Sequence, residues 1–353
     1  MILLFRPIPP FVEFCKAEND KFFVDRVVFD QERIGRIIDD TGQVEGVGCL
    51  LCHGGEVFKD TAGILNKESL DKMRGCMSFS PEYNDLTLKV AKIVLKKFPT
   101  QPQVLFCDTA YFVDLPDEAS TYAVPYALRK QGIRRYGGYG LIHNWVWQKT
   151  QDISNKSVNK LLSIHLGDNP NIAAIKEGKP VETTIGFTCA EGLPSFHGCG
   201  DVDPTVVFQL HSKGMSFEWI YDILSNESGF TGVAGEECRY LDVVKGKTTS
   251  NTSKVKQILL YDIIKYIGAF ASLMGGVDAL VFVTNYLKQS EKFIAEICDS
   301  LDFLGLSRKS VTGQGRPVQR LGKKGSKIEV LCMEQSQWNV MARGVKERIN
   351  KET

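Results

Sequence analysis

The segment that most restricts the fold lies between residues 161 and 187. Three short apolar runs, LLSIHLG, IAAIK and VETTIGF, are separated by the turn sequences Asp168-Asn169-Pro170-Asn171 and Glu177-Gly178-Lys179-Pro180. Runs of strand length joined by tight polar turns build an antiparallel meander. Beyond it the apolar spacing becomes helical at about 204–212, 216–224 and 254–274. An apolar strand at 279–283, a helix at about 289–303, a strand at 328–331 and a helix from about 336 complete the series. Upstream, Ile34, Ile37 and Ile38 predict a helix over 31–40, followed by a strand at 46–52, a helix at 85–98 and a strand at 103–107. Meander first, then alternating helices and strands, predicts an α/β protein.

A ribonuclease-H-like (actin-like) domain has this order of elements, and its first hairpin turn can offer backbone amides to a nucleotide phosphate. At 353 residues the chain exceeds the ~250–300 at which a single core stops growing, so two domains are expected. Residues 1–30 show no clean periodicity, and Pro7, Pro9 and Pro10 exclude a helix at the start.

Composition removes several classes of function. Lysine and arginine number 43 against 42 acidic residues, a net charge of +1, with only short basic clusters such as Arg129-Lys130 and Arg134-Arg135. A nucleic-acid surface needs a basic patch that displaces counterions, so small molecules or proteins are the expected partners. The opening MILLFRPIPPFVEF lacks the basic region and long apolar stretch of a secretory signal. No apolar run reaches the ~20 residues of a membrane span. A cytoplasmic protein is therefore expected, and its ten cysteines read as reduced thiols. Cys49, Cys52 and His53 spell the C-x-x-C-H string of haem attachment, but the apolar GVGCLLC run around them reads as a buried strand entering a turn at Gly54-Gly55.

Several stretches then fall in order at compatible spacing: HGGEVF at 53–58, FCDTAYFVDLP at 106–116, YAVPYALRKQGIRRYG at 122–137, HLGDN at 165–169 and TTIGFTCAEGL at 183–193. CGDVDP at 199–204, SGFTGVAGEECRYL at 228–241, IIKYIGAFASLMGGVDALVF at 263–282 and LDFLGL at 301–306 follow. Over roughly 45–345 the chain resembles the acetate kinase (acetokinase) family of the acetate and sugar kinase, heat-shock and actin superfamily. The resemblance implies two ribonuclease-H-like (actin-like ATPase) domains, the first truncated. That domain would span 1–109 with the terminal helix of about 336–350, and a nucleotide-binding and dimerisation domain would span 110–335. It also implies ATP-dependent phosphoryl transfer to acetate or another short-chain carboxylate, with Mg²⁺, in a homodimer.

Compared with the family pattern, many charged site positions are changed. The family's opening strand and phosphate-facing turn, N-x-G-S-S-S-x-K, have no match in residues 1–30. Leu50 stands where H-R-V-V-H-G-G has its carboxylate-binding Arg, and Gly198 stands where M-G-T-R-S-G-D has a second Arg. In R-R-Y-G-F-H-G-T-S-H, Gly138 replaces the pocket Phe and Tyr139 the transition-state His. The nucleotide motif G-G-I-G-E-N becomes Thr284-Asn285-Tyr286-Leu287-Lys288-Gln289, with Lys288 at the acidic position. Retained by resemblance are Asp108 and His143 as catalytic residues, His53 and Gly54 on the substrate side, and His165, Gly167, Asp168, Gly200, Asp201 and Arg239 toward the nucleotide. Glu334 is the one candidate for supporting the metal.

Each retained residue also has a plainer explanation. Asp108 can cap a turn, His165 can be a satisfied core histidine, Asp201 and Asp203 can cap the helix that follows Pro204, and Arg239 can be a surface charge. In-line phosphoryl transfer needs positive charge around the moving group. A cleft stripped of its cations therefore implies an impaired enzyme or a scaffold, the alternative being a repurposed phosphotransferase in which Asp108, His143, His197 and Lys288 serve a different acceptor.

Overall fold

Three strands are buried along their whole length and mark where the sheets have both faces covered: Gly46–Leu51, Gln103–Cys107 and Ala279–Thr284. Continuous apolar strands of this kind pair in parallel at the centre of α/β sheets. The computed structural model describes residues 1–19, 21–245, 250–306, 318–323, 326–334 and 336–352.

The first half contains β1 (Ile2–Ile8), β2 (Phe11–Glu18), β3 (Lys21–Val28), α1 (Gln31–Asp39), β4 (Gly46–Leu51), β5 (Ala62–Ile64), α2 (Lys67–Arg74), α3 (Pro81–Lys97) and β6 (Gln103–Cys107). Two short helices, α4 (Asp117–Ser120) and α5 (Tyr126–Arg129), lead to α6 (Gly140–Ile153). The second half contains β7 (Lys160–His165), β8 (Asn171–Lys176), β9 (Lys179–Thr183), α7 (Thr205–Ser212), α8 (Phe217–Asn226), α9 (Gly229–Ala234), α10 (Tyr240–Lys245) and α11 (Ser250–Leu273). After these come β10 (Ala279–Thr284), α12 (Leu287–Asp299), β11 (Val318–Arg320), β12 (Glu329–Glu334) and α13 (Gln337–Glu352).

The strands form two six-stranded sheets, ordered β3-β2-β1-β4-β6-β5 and β9-β8-β7-β10-β12-β11. In each sheet an antiparallel meander adds two parallel strands and then an antiparallel edge strand. One topology is thus used twice. The expected absence of the opening strand is corrected here: β1, β2 and β3 pair as an antiparallel meander, with Arg6 opposite Glu13 and a turn at Pro9-Pro10. What the first sheet lacks is the turn chemistry, because two adjacent prolines present no N–H.

Strand alternation sorts the core. Leu3 and Phe5 of β1 join Leu86, Val90 and Val94 of α3 on one face, while Ile2 and Leu4 meet Trp338, Met341 and Val345 of α13 on the other. The terminal helix therefore closes the first sheet, approaching so tightly that a Cβ on Gly48 would lie 2.8 Å from Leu4 and 3.2 Å from Val345. In the second sheet Leu162, Ile164 and Phe282 face α11 and α12, and Leu161, Val281 and Val283 face Ile142 and Val146 of α6. Among the described residues no helix is long and apolar enough to cross a membrane.

Candidate active site

The carboxyl ends of parallel strands are where α/β sheets collect ligand-binding residues. Here β4 delivers His53 and Gly54, β6 delivers Asp108, β7 ends on His165, β10 on Thr284 and β12 on Glu334.

Asp108 is only 6% exposed. Its Oδ2 accepts from Gln337 Nε2 at 2.6 Å, its Oδ1 from the Leu141 amide at 3.4 Å, and its carbonyl from the Gly140 amide at 3.0 Å. The carboxylate therefore holds the start of α6 rather than the turn that follows it. Gly140 is required there, since a Cβ would fall 2.4 Å from the Asp108 carbonyl oxygen. Burial pushes the Asp108 carboxyl up to about 6, against the opposing pull of the Leu141 amide, Gln337 and Arg6.

Arg6 is the residue that sequence reasoning missed, and it brings one guanidinium close to Asp108. Its Nη1 donates to Gln337 Oε1 at 3.1 Å, Nε and Nη2 both donate to Glu13 Oε2, the former at 3.2 Å, and the guanidinium lies 4.9 Å from the Trp338 ring centroid. Arg6 thus reaches Asp108 through one intervening side chain. The available signal was a lone Arg in an otherwise apolar strand, seven residues before a Glu on the far side of a proline turn.

His143 is fully buried, with Nδ1 on Ser163 Oγ at 2.8 Å and Nε2 on Asn171 Oδ1 at 2.7 Å. Burial holds its pKa down to about 3. With both nitrogens engaged, it links α6 to β7 and β8. Asn171 Nδ2 continues the chain to His165 Nδ1 at 3.2 Å, and the His165 ring stacks on Tyr139 at 4.9 Å. Burial lowers His165 to about 4. Tyr139 has φ 58° and ψ 24°, a left-handed conformation uncommon for a bulky residue.

Of the replaced positions, Leu50, Gly138 and Gly198 are buried. Leu50 is 1% exposed and joins Phe106, Trp338 and Met341 in the core under α13. A Cβ at Gly198 would lie 2.8 Å from Ser195 Oγ, and one at Gly138 would lie 3.1 Å from Ile185. On the substrate side His53 sits among Phe79, Tyr136 and Phe187, with ring centroids 4.9, 4.6 and 6.3 Å away. Its Nδ1 accepts from the Gly55 amide and its Nε2 donates to the Phe187 carbonyl at 3.1 Å. Burial lowers His53 to about 4. The Gly54 amide donates to Thr109 Oγ1 at 2.9 Å. Cys49 lies inside β4, as a buried strand requires.

Toward the nucleotide side, Gly167 lies in the β7–β8 turn. Asp168 accepts from the Tyr240 amide at 2.9 Å and from Arg239 Nη1 at 3.2 Å, and Arg239 also covers the Phe196 ring at 4.5 Å. Burial pushes the pKa of the Tyr286 hydroxyl up, with Asp168 acting in the same direction. Asp201 binds the Gly192 amide at 2.9 Å and the Tyr266 hydroxyl, while Asp203 accepts from the Thr205 amide at the start of α7. Gly200, at φ 71°, packs against the backbone of Gly192 and Pro194. His197 Nδ1 is buried without a hydrogen-bond partner among the described residues. Lys288 is exposed on the first turn of α12. Glu334 is exposed, its neighbour Gln335 lies outside the described residues, and no group of three or more His, Cys, Asp or Glu among the described residues could hold a metal ion.

Two copies of a meander-plus-parallel sheet, with charged residues at the strand ends between them, define the chain as a protein of the actin-like kinase architecture. The acetokinase family model matches residues 17–343. An acetate kinase of Thermosipho melanesiensis is 33% identical over 336 residues, 92% of this chain and 82% of that protein. An acetate kinase of Carboxydothermus hydrogenoformans is 35% identical over 278 residues, 76% of this chain and 69% of that protein. The crystal structure of Porphyromonas gingivalis acetate kinase superimposes with a TM-score of 0.86 at 26% identity, covering 99% of each chain. The chain belongs to the acetokinase family.

Proposed function

We propose that the chain is an acetate kinase homologue in which ordinary phosphoryl transfer to acetate or propionate is lost or strongly reduced, leaving a cytoplasmic binding or regulatory scaffold. The observation that carries this is the charge balance of the cleft. Leu50, packed into the core under α13, and Gly198, which has no side chain, occupy the two clamp positions. The guanidinium that is present, Arg6, is committed to Glu13, and Arg239 is committed to Asp168 and Glu237. Removal of one transition-state donor costs roughly 3–4 kcal/mol, a hundredfold to a thousandfold in rate. Two missing arginines and a missing histidine act in the same direction, though not additively.

The residues fit a Mg²⁺-nucleotide on one side only. Gly167, Asp168 and Arg239 remain toward the second hairpin, whereas the first hairpin turns on prolines and Thr284, Asn285 and Leu287 add bulk where the family has glycine. Mg²⁺ usually relies on one or two protein carboxylates beside the phosphates, and Glu334 stands alone for that role. No transfer step is therefore assigned. Arg6 favours the alternative of a repurposed site, because it returns one cation to the cleft. A homodimer through the second half accords with the exposed Phe208, Phe217, Trp219 and Tyr221 of α7 and α8, which are 66%, 54%, 52% and 63% accessible.

Calorimetric titration with Mg-ATP, paired with an acetyl phosphate assay using acetate and propionate, tests the proposal. Neither heat nor product is the expected result for a scaffold. Heat without product favours the repurposed site, and turnover at rates ordinary for a kinase, ~1–100 s⁻¹, overturns the loss of transfer.

A further inference from the structure

We propose that Arg6 and Glu13 form an oxyanion receptor in its self-occupied state, in which the Glu13 carboxylate holds the place of an incoming phosphate or carboxylate. The inference deepens the scaffold reading of the cleft by naming the chemical class that the cleft receives. Glu13 occupies the Nε/Nη2 edge of the guanidinium, the edge that carboxylates and phosphates take in recognition. The remaining holders of Arg6 do not depend on Glu13. Gln337 Oε1 accepts from Nη1 at 3.1 Å, the Trp338 ring lies 4.9 Å away, and both residues are 6% exposed. Gln337 is itself anchored by its bond to Asp108 at 2.6 Å. When Glu13 turns aside, the guanidinium therefore stays aimed rather than collapsing.

The pair is also placed to be reached. Its side chains are 27% and 18% exposed, dry enough for a charge-assisted bond to count and open enough for a small anion to enter. Gln337 ties Arg6 to Asp108 just past the carboxyl end of β6, so an anion seated on the guanidinium lies beside the strand ends that carry Asp108. The first hairpin, with prolines where a phosphate-binding turn needs amides, has thus moved anion recognition from backbone to side chain.

Glu13→Gln removes the competing charge and keeps a side chain of the same length. Isothermal titration of the intact chain with inorganic phosphate, and separately with acetate, should show tighter binding to E13Q than to wild type by about tenfold. Arg6→Gln and the double variant R6Q/E13Q should show no binding, with circular dichroism confirming that each is folded. The anion with the larger E13Q response identifies the preferred source. Equal affinities of E13Q and wild type for both anions, or binding that survives R6Q, overturn the proposal. Neither result depends on acetyl phosphate formation, so rapid turnover would refute the scaffold reading while leaving these titrations to decide the anion site.

Discussion

The two sheets share one topology, yet their first hairpins meet the cleft in different ways. β7 and β8 are joined by a turn that keeps Gly167, and they are tied beneath by the buried chain of His143, Ser163, Asn171 and His165. β1 and β2 are joined through Pro9-Pro10 and are tied at the cleft by the half-buried pair of Arg6 and Glu13. A fold repeated twice constrains strand order in both copies, but it does not preserve the chemistry of the turn. The second hairpin is held by neutral hydrogen bonds in a dry interior and the first by a charge pair at the edge of water, so the two should respond differently to mutation, pH and salt.

The largest effect is expected in the second hairpin. His143→Ala leaves Ser163 Oγ and Asn171 Oδ1 without their ring partner and opens a cavity under α6. That should cost about 3–5 kcal/mol in urea denaturation. A loss below ~1 kcal/mol would mean that the buried chain does not support the hairpin.

Acid should separate the halves next. The buried His53 and His143 and the half-buried His165 have lowered pKa values, to about 4, 3 and 4. Their neutral forms give stability that is fully present above the ordinary 6.5 and is lost as pH falls through those values. Asp108 runs the other way. Its pKa is raised from 3.8 to about 6, so its contribution is fully present below 3.8 and is lost as pH rises through 6. The histidines outnumber it, and wild-type stability should rise from pH 4 to 6.5. Asp108→Asn removes the opposing contribution, worth about 3 kcal/mol across that window, and should steepen the rise in a pH series of thermal melts. An unchanged slope would place the Asp108 carboxyl near its ordinary pKa.

Arg6→Met retains much of the packing against Trp338 while deleting the charge pair, and its cost should be smaller, about 1 kcal/mol. High salt should lessen the difference between Arg6→Met and wild type and leave the His143→Ala deficit in place. Equal salt sensitivity of both variants would erase the distinction between a charged and a neutral hairpin.

The same contrast explains which features were legible in the sequence. The second meander and its helices declare themselves because each apolar run is bounded by Asn, Asp, Gly or Pro turns, and because strand and helix periods separate cleanly. The first meander does not: β3 buries only Val27 of its eight residues, so no alternation survives, and the first turn carries none of the usual Asn or Gly. Asp108 was visible as a motif residue, but its partner Gln337 lies 229 positions away. Arg6 was harder still, since it acquires its place through that same Gln337, 331 residues along the chain. The motif around His143 is legible in the sequence, whereas its partners Ser163 and Asn171 belong to other elements.

The smallest effect should come from Gly167→Ala, and it bears most directly on whether the second hairpin still receives a phosphate. Gly167 lies outside the left-handed region, and an added Cβ would meet the His165 ring, its carbon at 3.7 Å and its nitrogen at 4.0 Å, both ordinary contacts. The melting temperature should therefore stay near that of wild type, within about 0.5 kcal/mol of stability. A ligand that approaches the backbone closely would nevertheless meet the new methyl. If Mg-ATP gives measurable heat with wild type and loses it in this variant while the fold is unchanged, the second hairpin is a working phosphate turn and the two copies of the fold differ in function. If the heat is the same in both proteins, the nucleotide avoids the β7–β8 turn, and that hairpin has become as silent toward phosphate as the proline turn of the first.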